Sequence, residues 1–139
     1  MTRLVLDCSV AMAWCFESEA DRYADAVLEA LADGAAVVPA LWPLEVANVL
    51  VMAERRRRLS RAAAMRFLEL VGELPVVVDS PITIGEIPGL LGLATAHQLS
   101  AYDAAYLHLA MREQLPLATR DHALRAAARA TGVRQFARA

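Results

Sequence analysis

Apolar residues fall into short unbroken runs, separated by longer stretches in which they recur every three or four positions. "RLVL" (3–6), "AAVVP" (35–39), "VVV" (76–78) and "LPLAT" (115–119) are the runs. Too short for helices, they read as strands buried on both faces. Helical patterns lie between them. One opens at Ser9; a second, amphipathic over 18–33, sets Ala24, Val27, Leu28 and Leu31 on one side and acids on the other. Asp33-Gly34 stops it. A third, over 43–53, is apolar almost all the way round, with Glu45 and Asn48 its strongly polar members. Ser60 caps a fourth that runs through Val71 and ends at Gly72. Residues 84–99 and 101–113 make two more, divided near Ser100, and 121–130 the last. "VRQF" (133–136) reads as an edge strand.

This alternation predicts one α/β domain over 1–139: a central, mostly parallel sheet of four to five short strands, covered by helices on both faces. No repeat, low-complexity tract or linker divides it. With 58% apolar and 22% charged residues the chain is no disordered polymer. No stretch is long and apolar enough to cross a bilayer, and Asp7 interrupts the N-terminal apolar run, so no secretory signal is expected. Cys8 and Cys15 lack CxxC spacing and are expected as reduced thiols in a cytoplasmic protein.

Charge changes the picture more than its sum of −2 suggests. Residues 1–54 hold two arginines against nine acids, whereas 55–139 hold twelve arginines against seven. A basic face is therefore open to a mildly acidic chain. Every basic residue is arginine. The absence of lysine excludes a P-loop lysine and Schiff-base chemistry.

Ligands of open parallel sheets bind outside the carboxyl ends of the strands. Asp7 follows the first strand directly, and Asp121 comes two residues after Thr119 at the end of the fourth. Glu45 lies in the first turns of the helix after strand two, and Asp103 opens the helix over 101–113. Each has a purely structural alternative: Asp7 and Asp121 as N-caps, Asp103 in a Ser100-x-x-Asp103 capping box. Glu45 is the exception, a carboxylate stranded among apolar neighbours, which is costly unless something neutralises it. Four acids at one sheet edge cannot all stay ionised without a cation. Oxygen ligands suit Mg²⁺ or Mn²⁺. Zinc fits poorly, since His97, His108 and His122 show no metal-binding spacing. Ser9 has no histidine base at a predictable place, so acyl transfer is a poor fit.

Four stretches in order, "VLDCSVAMAW", "LWPLEVANVL", "LSAYDAAYLHLA" and "LPLATRDHAL", span nearly the whole chain. Together they resemble PIN domains of the VapC type, the ribonuclease toxins of toxin–antitoxin pairs. The resemblance implies that Asp7, Glu45, Asp103 and Asp121 bind the metal and that Ser9, Asn48 and Thr119 support the site. It also implies a central first strand, metal-dependent cleavage of RNA, a homodimer, and a VapB-type antitoxin whose C-terminal segment covers the site. Glu45 is then expected to face Mg²⁺ or Mn²⁺, with Asn48 beside it on the same helical face. For the RNA, "ERRRRLSR" (54–61), including Arg55 and Arg56, offers phosphate contacts, although a helix C-terminus favours cations anyway. Arg112 and Arg120 are expected nearer the pocket.

Two other readings stand beside this one. A haloacid-dehalogenase-type phosphohydrolase also places an Asp after strand one, but wants another Asp where Ser9 stands, and a lysine. A non-catalytic PIN-fold module binding RNA or protein would use the acids as caps alone.

Overall fold

The computed structural model describes residues 1–16, 19 and 21–137. Strands β1 (Arg3–Leu6), β2 (Ala35–Val38), β3 (Val76–Val78) and β4 (Leu117–Ala118) form one sheet in the order β3-β2-β1-β4, every pair parallel. Arg3 lies opposite Ala35, Val5 opposite both Val37 and Leu117, and Val37 opposite Val77. The first strand is central, and so is its carboxyl end. Leu4, Val5 and Leu6 are each fully buried. Successive strand residues point to opposite faces, so burial of all three means that helices cover both. The edge strand β3 departs from the expectation of two covered faces, for Val77 and Val78 are 57% and 48% exposed.

The helices are α1 (Cys8–Cys15), α2 (Arg22–Ala30), α3 (Trp42–Arg55), α4 (Arg61–Glu73), α5 (Ile87–His97), α6 (Ala101–Glu113) and α7 (His122–Ala130). α2 starts later than the amphipathic pattern suggests: the Asp21 side chain accepts from the Ala24 N–H and caps it. Residues 18 and 20 of the expected helix lie outside those described. A 3₁₀ turn, Leu31–Asp33, completes its end. Gly34 then passes so close to Thr2 that a Cβ there would sit 2.1 Å from the Thr2 carbonyl oxygen. Its φ of −136° is ordinary, so glycine is required for space.

Ser60 caps α4 through the Ala63 N–H, as expected. Gly72 does not end the helix. α4 runs through Glu73 and stops because Leu74, at ψ 149°, precedes Pro75, which disfavours helical geometry in the residue before it. The stretch from residue 84 opens as a 3₁₀ turn, Ile84–Glu86, held by a Thr83–Glu86 capping box, before α5 begins. "VRQF" forms no strand; Gln135 makes one parallel bridge to Leu117. α6 is buried along its middle, with Ala104, Tyr106 and Leu107 fully covered. Each large apolar side chain so buried contributes roughly 1.5–3 kcal/mol, and α6 is thereby held firmly behind the carboxyl end of β1. No helix among the described residues is long and apolar enough to cross a membrane.

Candidate active site

An open cleft of about 450 Å³ lies beyond the carboxyl end of β1, lined by Asp7, Ser9, Glu45, Asn48, Asp103 and Asp121 among others. Five segments deliver these side chains: the β1–α1 junction, α1, α3, α6 and the turn before α7. Two of the acids also do local work. Asp121 accepts from the Leu124 N–H at 2.8 Å and caps α7. Asp103 sits one turn into α6, where its own N–H donates to Ser100 Oγ. Asp7 occupies the N-cap position of α1 with its carboxyl beside the Ser9 N–H, and α3 starts at Leu41 and Trp42 without help from Glu45.

Asp7 is the most enclosed, 6% exposed. Its Oδ2 accepts from the Ser9 hydroxyl at 2.8 Å and from the fully buried Thr119 hydroxyl at 2.6 Å. Ser9 Oγ in turn accepts from the Arg120 N–H, and Thr119 Oγ1 from the Asp121 N–H. These bonds fix Asp7 from one side. Burial nonetheless pushes its carboxyl above the ordinary carboxylate range, aided by the nearby charge of Asp121 and opposed by the two hydroxyls. Glu45 is raised by burial and by the charges of Asp7 and Asp103; Asp103 is raised by burial and by Asp7 and Asp121. The acids repel one another across the cleft.

Such a donor set fits a hard divalent cation, which would neutralise crowded carboxylates through oxygen alone. Among the described residues no three acidic, histidine or cysteine side chains converge as a ready-made cage. Asp7, Glu45 and Asp121 each have an oxygen on a protein partner and all three line the cleft. His97, His108 and His122 do not line it, and His108 faces Glu86 instead. Neither cysteine is bridged, and burial beside Glu45 and Asp7 pushes the Cys8 thiol up to about 12, which makes it inert.

The arginines sort differently from expectation. Arg120 lines the cleft, its guanidinium 2.7 Å from Asp21. Arg112 does not; it lies at the far end of α6 from Asp103 and pairs with Asp79 at 2.9 Å. From the run at 55–58, Arg55 and Arg56 point elsewhere and Arg58 lines the cleft, stacked 4.9 Å over the Phe16 ring. Arg57 takes a left-handed conformation (φ 58°), which turns the chain so that Arg58 returns towards the acids. Glu19 adds a further acid to the lining.

Sequence reasoning missed Tyr106. Its hydroxyl donates to Glu45 Oε1 and accepts from the Cys8 N–H at 3.3 Å. The available signal was its place three residues after Asp103, on the same face of a helix whose other buried members have no polar tip.

The family model for the PIN domain matches residues 4–130. No curated protein matches the chain. Among solved structures it is similar to PAE2754 from Pyrobaculum aerophilum, with a TM-score of 0.66 and 26% identity, over 91% of this chain and 79% of that one. It shares its fold with FitAcB from Neisseria gonorrhoeae, with a TM-score of 0.64 and 17% identity, over 96% of both chains.

Proposed function

The chain belongs to the PIN domain family, and from that premise we propose that it is a metal-dependent endoribonuclease, the toxin of a VapC-type toxin–antitoxin pair. The observation that carries this reading is that Asp7, Glu45, Asp103 and Asp121 line one cleft, Glu45 with no capping role. The haloacid-dehalogenase alternative falls away with the family match.

Asp7 and Asp103 are the principal ligands, with Glu45 ligating directly or through water and Asp121 completing the site or holding a second ion. Bound Mg²⁺ or Mn²⁺ would supply an acidified water and the charge to offset that growing on the phosphate and leaving oxygen. Ser9 and Thr119 hold Asp7 by its Oδ2. Asn48, exposed one turn after Glu45, offers an amide to RNA or to water. Arg58 and Arg120 flank the acids and meet the phosphates that the acids alone would repel. A single-stranded or looped RNA suits such an open cleft, because unstacked bases are what proteins read in RNA.

The same reading brings partners. Leu44, Val51 and Tyr102 are exposed around a second cleft that shares Glu45 and Asn48 with the first. On α4, Met65, Leu68 and Leu70 are exposed as well. Apolar surface of this extent supports a homodimer and a VapB-type antitoxin that covers the acids. A cytoplasmic location accords with both partners.

The test pairs pure protein with structured RNA and, separately, with a phosphomonoester, in Mg²⁺ or Mn²⁺ and then in chelator. Asp7→Asn and Glu45→Gln variants run alongside. RNA cuts that vanish in chelator and in both variants are expected. Inertness towards RNA, with the fold intact, would favour a non-catalytic module.

A further inference from the structure

Three of the acids reach the cleft from the β1–α1 junction, from α3 and from α6, and a single hydroxyl touches all three segments. Tyr106, on α6 one turn after Asp103, is fully buried. It donates to Glu45 Oε1 on α3 and accepts from the N–H of Cys8, the residue that follows Asp7. A buried tyrosine hydroxyl normally finds a partner, but a backbone carbonyl would serve for that. Here the partner is a carboxylate facing two other carboxylates.

Glu45 is half-buried, with the like charges of Asp7 and Asp103 close by. Around it on α3, Leu44, Ala47 and Asn48 are exposed. The hydroxyl of Tyr106 is the protein group that the Glu45 side chain bonds. A phenol is a neutral donor, so it adds no negative charge to the crowd.

We propose that Tyr106 is a positioning residue that ties Glu45 on α3 to the β1–α1 junction and to α6, so that the acids stand ready for a divalent cation. This assignment rests on the reading of the cleft as a metal-dependent nuclease site. It makes Tyr106 no participant in bond breaking. Its effect passes through Glu45 to the bound ion, as outer partners of metal ligands act elsewhere.

Tyr106→Phe keeps the ring and removes the brace. Tyr23→Phe is the matched control, because the Tyr23 hydroxyl donates to the Phe136 carbonyl at 3.0 Å and lies outside the cleft. Mn²⁺ affinity, read by electron paramagnetic resonance without RNA, should weaken about 10-fold or more in Tyr106→Phe and stay unchanged in Tyr23→Phe. On RNA, kcat should fall for Tyr106→Phe while KM holds. Unchanged Mn²⁺ affinity in a folded Tyr106→Phe protein would overturn the assignment. So would a Tyr106→Phe protein that fails to fold beside a folded Tyr23→Phe, since the hydroxyl would then belong to the core. Wild-type protein that neither binds Mn²⁺ nor cuts RNA would defeat the nuclease reading itself, and this assignment with it.

Discussion

At the scale of single residues, the cleft is a place where charge is stored at a cost. Burial and mutual repulsion raise Asp7, Glu45 and Asp103 above the ordinary carboxylate range. Unfolded carboxyls of these types release their protons near pH ~4. Above that pH, up to the raised folded values, the folded metal-free chain holds more protons than the unfolded one, so its stability falls as pH rises. Replacing one acid by its amide removes part of that cost. Asp103→Asn should stabilise the chelated protein by about 1 kcal/mol at pH ~7, a size common when a functional site gives up strain, and by less at pH ~5. Urea denaturation at the two values measures it; a variant no more stable at neutral pH would count against the repulsion. The same variant should lose RNA cleavage.

At the scale of elements, the strands were legible because their apolar runs are too short to be anything else and are ended by turn residues. β1, β2 and β3 stand where the runs predict them. Helix ends were harder, because they depend on which local cap wins. Asp21 captured the start of α2, and Pro75 rather than Gly72 ended α4. Gly34 looked like a helix stop and proves to be a packing requirement, visible once Thr2 is opposite it. Gly34→Ala should therefore destabilise by about 1–3 kcal/mol, the range for overpacking, with the loss read as a lower urea midpoint at unchanged slope. A neutral effect would mean that β1 and β2 yield more readily than their shared register suggests.

The acids were legible as well, since each follows a strand or opens a helix on one edge of a parallel sheet. Tyr106 was not: its partner Glu45 lies 61 residues away, and an aromatic in an apolar helix usually means core. Arg112 misled for a related reason. Its helix starts at the cleft, and thirteen residues carry it past.

At the scale of the whole molecule, the opposed charges of the two halves meet at the cleft. Acids from the first half, from α6 and from the N-cap of α7 line it together with Arg58 and Arg120 from the basic half. Arg58→Ala should weaken binding of single-stranded RNA by chelated protein. It should also lower the slope of log affinity against log salt by about 0.7, the share of one phosphate contact. Arg55→Ala, on the same run but outside the cleft, should change the slope less; equal effects from both would point to a diffuse basic patch. Leu44, 75% exposed beside the second cleft, is part of the apolar surface on which the proposed homodimer draws. Leu44→Glu should convert a dimer to monomer in light scattering, and a wild-type monomer would remove that face from the account.

Beneath all of this stands the claim that side chains from distant segments meet in order to share a divalent cation. Crystals of the protein soaked in Mn²⁺ and measured at the manganese edge address it directly. An anomalous peak is expected within ligand distance of Asp7 and Asp103, with Glu45 beside it on the Tyr106 hydroxyl. A map without that peak, its carboxylates turned to backbone amides, would contradict it.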